Sequence, residues 1–200
     1  MDDDKRRRHD LFNLTGLPVV CAANLYFLST GSGERIQFIL FFIYMMVDSF
    51  WVWTVPESVA SASTILIHHV VVSAVWLIPF YLRNASLVRY SSYGPLVEIN
   101  TFFLIARRNF KDSVLLQFMF FASWIVLRVL FYPYILIHFV AFIAIDNEHM
   151  NVAREPLYVV TAIAILGTML LLNTMNAKWS YDLFRKTFSR SPKDNNNKFL

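Results

Sequence analysis

Five sites in this 200-residue sequence place ionisable side chains inside otherwise apolar stretches: Asp48, the adjacent pair His68 and His69, Glu98, Arg128 and His138. If these stretches cross a bilayer, each ionised group costs about 2.5 to 3.5 kcal/mol on insertion scales, so it faces a protein interior or a wet cavity. Imidazole titrates near neutrality and its neutral form tolerates a low dielectric. His68 or His69 therefore has the chemistry of a general base or a nucleophile. Successive helical positions point about 100° apart, so at most one of the two rings projects squarely into a common cavity. Asp48 and Glu98 carry the charge to orient an imidazole or hold its cationic form. Arg128 presents a fixed fork of donors suited to an anionic headgroup or a phosphate. Plainer roles stand beside these: an ion pair between Asp48 and Arg128, Arg128 as counter-ion to Glu98, and hydrogen-bonded structural histidines.

The elements that position these residues are set by the scarcity of charge. The chain is 56% hydrophobic and 16% charged, with a mean hydropathy of +0.47, whereas soluble domains carry about 25% charged residues. No charge occurs from Ser58 to Leu82 or from Pro156 to Ala177, and only Arg128 interrupts Ser113 to Ile145. Apolar runs of about 18 residues or more read as membrane spans. The segments are Leu11 to Leu28, Ile36 to Val55, Ser61 to Leu82, Leu96 to Ala106, Val114 to Ile145 and Leu157 to Lys178. The fourth is only about 16 Å long as a helix against a core of about 30 Å, so it starts earlier, near Tyr90, or dips in and returns. The fifth is long enough to predict a break at Pro133, with a spanning helix before it and a shorter piece after. The expected fold is all-α, a polytopic transmembrane bundle of about six segments. A charged segment, residues 1–10, precedes the membrane domain, residues 11–179, and a basic, polar tail read as disordered follows over 180–200.

The formal charge of +4 resides in the stretch from Lys178 onward. That disfavours a nucleic-acid-binding domain. The single Cys21 excludes an intramolecular disulfide framework and a cysteine metal cluster, and no metal site is expected. There is no span with Arg at helical spacing, no Gly-rich filter or phosphate loop, and no nucleophile elbow. Lys5 to Arg8 before the first apolar run, with Val20-Cys21-Ala22, also fits a signal peptide pattern. Six crossings with both termini cytosolic put Arg107, Arg108 and Lys111 inside together with the tail, leaving Arg83, Arg89 and a sequon at Asn84 outside. Trp51, Trp53 and Trp179 lie near span ends, as interfacial aromatics do.

Taken in order, the polar residues resemble the TLC domain family, named for the translocating-chain-associating membrane protein, the longevity-assurance ceramide synthase and a neuronal ceroid lipofuscinosis protein. The elements are Asp48, the His68-His69 pair, Glu98-Ile99-Asn100-Thr101-Phe102-Phe103 with Arg107, Arg128 with Pro133, and Asn176-Ala177-Lys178-Trp179. The series looks closest to the TLC domain-containing branch, with Asn100 at its Ser position and Phe102 replacing its Pro, and beside that branch the chain looks short at its N-terminus, as though a leading helix were absent. The resemblance implies a helical bundle in endomembranes, usually the endoplasmic reticulum, around a lipid-sized cavity. Its ceramide synthases join an acyl group from acyl-CoA to a sphingoid base. In them the His pair is followed by a His-Asp-x-x-Asp segment, where this chain has Tyr90-Ser91-Ser92-Tyr93-Gly94 and no acid between His69 and Glu98.

The reading that follows is a TLC protein, not a ceramide synthase, that binds or senses membrane lipids and contributes to lipid homeostasis. Asp48, His68, His69, Glu98, Arg128 and Asn176 are expected at its lipid cavity. The enzyme alternative is an N-acyltransferase with acyl-CoA as co-substrate and His68 or His69 as catalytic base or nucleophile. A third reading is a partner in membrane-protein trafficking or insertion. Membrane lipids are the expected partners, with no nucleic acid and no cofactor; a homo-oligomer is left open.

Overall fold

In a bilayer a backbone must satisfy its own hydrogen bonds, and an uninterrupted apolar run does so as a helix. The computed structural model describes residues 3–82, 85–149 and 156–188, and these are helical almost throughout, with no strand among them. The elements are α1 (Asp3–Thr30), α2 (Glu34–Thr54), α3 (Ala62–Leu82), α4 (Ala85–Ser92), α5 (Val97–Asn109), α6 (Val114–Ser123), α7 (Tyr132–His149) and α8 (Pro156–Phe188). Five helical stretches are long and apolar enough to cross a membrane: 3–30, 34–54, 62–81, 114–145 and 158–185. The sixth apolar segment is the pair α4 and α5, joined by a 3-10 turn at Gly94–Leu96. It therefore begins before Tyr90 and is broken at Gly94-Pro95. The sequon at Asn84, Arg83 and the tail beyond residue 188 lie outside the described residues. The part of the expected tail that is described, 180–188, continues α8 as helix.

Short turns make neighbouring helices antiparallel. Gly31 and Gly33, with φ of 69° and 82°, supply the left-handed conformations that reverse the chain between α1 and α2. Across that turn, Tyr44 Oη donates to Asn13 Oδ1 at 2.6 Å. Gln37 Nε2 donates to Asn24 Oδ1 at 2.5 Å. Gly16 keeps the two helices close, because a Cβ there would lie 3.1 Å from the Tyr44 ring. Further along, Trp76 Nε1 donates to the Ser91 carbonyl at 2.8 Å, fastening α4 back along α3.

The expected break at Pro133 does not occur. Residues Trp124–Phe131 form a π-helical segment that leads directly into α7, with the Tyr132 amide donating to the Leu127 carbonyl five residues back. Widening the turn in this way accommodates the proline ring and its missing donor without ending the helix, and π segments of this kind tend to mark functional sites. The apolar packing forms two centres. One joins Leu17 and Val20 of α1 to Phe41 and Met45 of α2, Trp76 of α3 and Ile105 of α5. The other joins Leu87 and Tyr90 of α4 to Ile135 and Phe139 of α7 and Ile165 of α8.

Candidate functional site

Asp48 lies on the inward face of α2 and is only 4% exposed. Its Oδ1 is 2.6 Å from His9 Nε2 on α1, and its Oδ2 is 3.5 Å from His69 Nε2 on α3. One carboxylate thus addresses two imidazoles from flanking helices. The other ring nitrogen of His69 is 3.0 Å from Ser49 Oγ, whose hydroxyl donates to the Met45 carbonyl at 2.6 Å. The serine oxygen is then left to accept a proton carried on Nδ1. Asn13 Nδ2 lies 3.3 Å from the His9 ring, and the Trp51 ring centroid is 5.9 Å from it. Trp51 therefore packs against this centre and against Phe12 instead of serving only as an interfacial aromatic.

A second polar centre surrounds Arg128, which the π-helical segment carries into the bundle. Arg128 Nε donates to Asn100 Oδ1 at 2.8 Å and one terminal nitrogen donates to Asn176 Oδ1 at 2.7 Å. Asn100 in turn donates to the Phe120 carbonyl at 3.1 Å and to Ser123 Oγ at 2.9 Å. The guanidinium carbon is 5.0 Å from the Trp124 ring centroid and 5.3 Å from that of Trp179. Among the described residues no carboxylate comes within 4 Å of Arg128, so neither an Asp48–Arg128 nor a Glu98–Arg128 ion pair forms. Asp48 is served by histidines, and Arg128 by two neutral amides.

Glu98 stands between the two centres. It lies within electrostatic range of both Asp48 and Arg128. His68 is half-buried, with its ring centroid 5.8 Å from that of His69. It lies within electrostatic range of Arg128. Of the two adjacent rings, it is His69 that reaches Asp48 and Ser49 on α2. His138 takes no part: it is exposed on α7, with Nδ1 2.6 Å from Tyr90 Oη.

An apolar recess with about 520 Å³ of empty space, its open mouth included, lies among α3, α4, α7 and α8. Val72, Trp76, Tyr90, Tyr132, Ile165 and Leu172 are among its walls, and none of the six expected cavity residues is. Their offset from the recess is regular, however. His68 precedes Val72 by four positions and Arg128 precedes Tyr132 by four; Glu98 follows Gly94 by four and Asn176 follows Leu172 by four. Because α5 and α8 run opposite to α3 and α7, all four offsets lead toward the same end of the recess. An apolar chamber is thereby followed, one helical turn deeper, by a polar layer.

The fold and this layered interior define a polytopic helical-bundle membrane protein. The family model described as the TLC domain matches residues 13–185, and the chain belongs to that family. Curated proteins and solved structures yield no match. Sequence reasoning missed His9, Asn13 and Ser49. His9 was hidden within a charge run that reads as solvated, and its signal was the single imidazole at the boundary between that run and the first apolar residues.

Proposed function

We propose that this TLC-domain protein binds a membrane lipid with its hydrocarbon tail in the apolar recess and its polar part against the layer of His68, Glu98, Arg128 and Asn176. Through that binding it contributes to the lipid composition of the endoplasmic reticulum, with both termini cytosolic. The carrying observation is the common four-residue offset that sets polar groups at one end of an apolar chamber. A ligand site combines just such an apolar wall with a few convergent polar groups. Lipid extracted from the purified protein tests the reading. Retention above that of an unrelated transmembrane control is expected, and retention no greater than the control overturns it.

Acyl transfer is the second reading, favoured by the placement of His69 between Asp48 and Ser49. With Nε2–H toward Asp48, His69 acts as a base only through an unprotonated Nδ1, which requires the Ser49 hydroxyl to turn from the Met45 carbonyl and donate to that nitrogen. Labelled acyl-CoA and sphingoid base, turned over by the wild type and not by His69→Ala, would support it. Equal turnover in both, or none in either, counts against it.

A further inference from the structure

At the end of the bundle that carries the first turns of α1, basic side chains of α1 and of the turn after α5 lie together with acids, of which Asp4, Asp10 and Glu57 are taken up by Arg8, Arg108 and Lys5. Arg108 pairs with Asp10 at 2.6 Å, and Asn109 donates to the second oxygen of the same carboxylate at 3.2 Å. This accounts for one guanidinium. Arg6 of α1 and Arg107 both lie within electrostatic range of Arg108 and repel it. Lys111 is exposed on the turn that follows α5, with Asp112 the one acid on that turn. Among the described residues no carboxylate lies within 4 Å of Arg107 or Lys111.

Arg107 is held in place all the same. Its guanidinium carbon sits 3.7 Å from the centroid of Phe120, a ring that is itself 1% exposed, and 5.6 Å from that of Phe121. Stacking covers one face of the guanidinium plane and leaves the edge that carries the N–H donors uncommitted. The location is a membrane boundary. Phe110, Val114, Leu115 and Phe118, directly beside the basic turn, are exposed apolar side chains of the kind a helix presents to lipid. Like charges assembled at this level repel each other until an anion arrives, and the anions abundant there are lipid phosphates.

We propose that Arg107 and Lys111 form a binding site for the headgroup of an anionic glycerophospholipid at the membrane surface, separate from the interior recess. The acyl chains of that lipid run along the exposed face of α6. Arg107 supplies directed donors, and Lys111 supplies an unpaired charge.

Native mass spectrometry of the full chain in detergent tests this, with phosphatidylglycerol, phosphatidylcholine of the same chains, and inorganic phosphate titrated separately. The wild type is expected to retain phosphatidylglycerol about tenfold more tightly than phosphatidylcholine, with a preference that falls as salt is raised. The double variant Arg107→Gln, Lys111→Gln should bring the two lipids to within about twofold, while Arg35→Gln, at the opposite end of the bundle, leaves the preference unchanged. Should the double variant fail to fold, Lys111→Glu alone, exposed and away from the packed rings, should lower the preference at least about fivefold. Equal retention of both lipids by the wild type overturns the proposal, as does a preference that survives these substitutions. Inorganic phosphate bound as tightly as phosphatidylglycerol overturns it too, because the site would then serve a free anion.

Discussion

His9 and Asp48 meet at 2.6 Å, both of them buried, although one belongs to a charge-rich helical turn and the other to the middle of an apolar span. A carboxylate removed from water needs a partner that supplies a proton or a positive charge. The histidine that does so lies ahead of residue 13, where the family match begins. The first turns of α1 are thereby fastened into the membrane domain, with Asp10 on Arg108 and Lys5 on Glu57 as further ties.

Removing the imidazole leaves Asp48 with His69 at 3.5 Å alone. His9→Ala is expected to lower stability by about 1 to 3 kcal/mol, and Lys5→Ala, in its exposed pair, by less. Adding Asp48→Asn to His9→Ala should recover part of the loss, since the buried charge is then gone. Thermal unfolding in detergent measures all three. Equal effects of His9→Ala and Lys5→Ala would show that the buried contact contributes no more than the surface one.

Arg128 bridges Asn100 on α5 and Asn176 on α8 through two different nitrogens, a geometry that lysine cannot reproduce. Arg128→Lys should therefore destabilise despite keeping the charge. Asn100→Ala and Asn176→Ala should each cost about 1 kcal/mol, in the range of polar contacts between membrane helices. Double-mutant cycles with Arg128→Lys should show both pairs coupled. Strict additivity would mean that these bonds carry no interaction energy.

The Lys5 ammonium, hydrogen-bonded to Glu57 outside the spans, holds that carboxyl below its ordinary 4.5. A depressed folded-state value contributes stability that is present above the unfolded value and is lost as pH falls through the folded one. Wild type and Glu57→Gln should therefore differ in Tm at pH 6, and the difference should shrink on going below about pH 4.5. A difference that grows in acid contradicts the pairing.

The membrane segments were legible because charge is scarce, and the bounds of α2, the end of α3 and the start of α8 follow where charge, Gly or Pro returns, whereas α8 runs on as helix through Lys178, Asp182 and Arg185. Pro133 misled because proline usually ends a helix; a π-helical turn is a local register change that hydropathy does not encode. At the site, Asp48 and the histidine pair stood out by type alone, since ionisable groups in apolar runs are conspicuous. Their partners did not. Asn100 and Asn176 acquire their role from Arg128, which reaches them only when α5, the π segment and α8 pack together. That His68 and His69 diverge followed from helical geometry, whereas which ring faced Asp48 depended on how α2 and α3 docked.

The proposed function stands or falls on a lipid tail occupying the recess next to the polar layer. A phospholipid carrying a diazirine in its acyl chain, photolysed on the protein in reconstituted membranes and mapped by peptide mass spectrometry, tests it most directly. Cross-links are expected at recess residues such as Tyr132, Ile135, Met169 and Leu172, competed away by unlabelled lipid and lost when Met169→Trp fills the chamber. Cross-links confined to outward-facing residues such as Ile137 and Ile163, and unchanged by Met169→Trp, would contradict it.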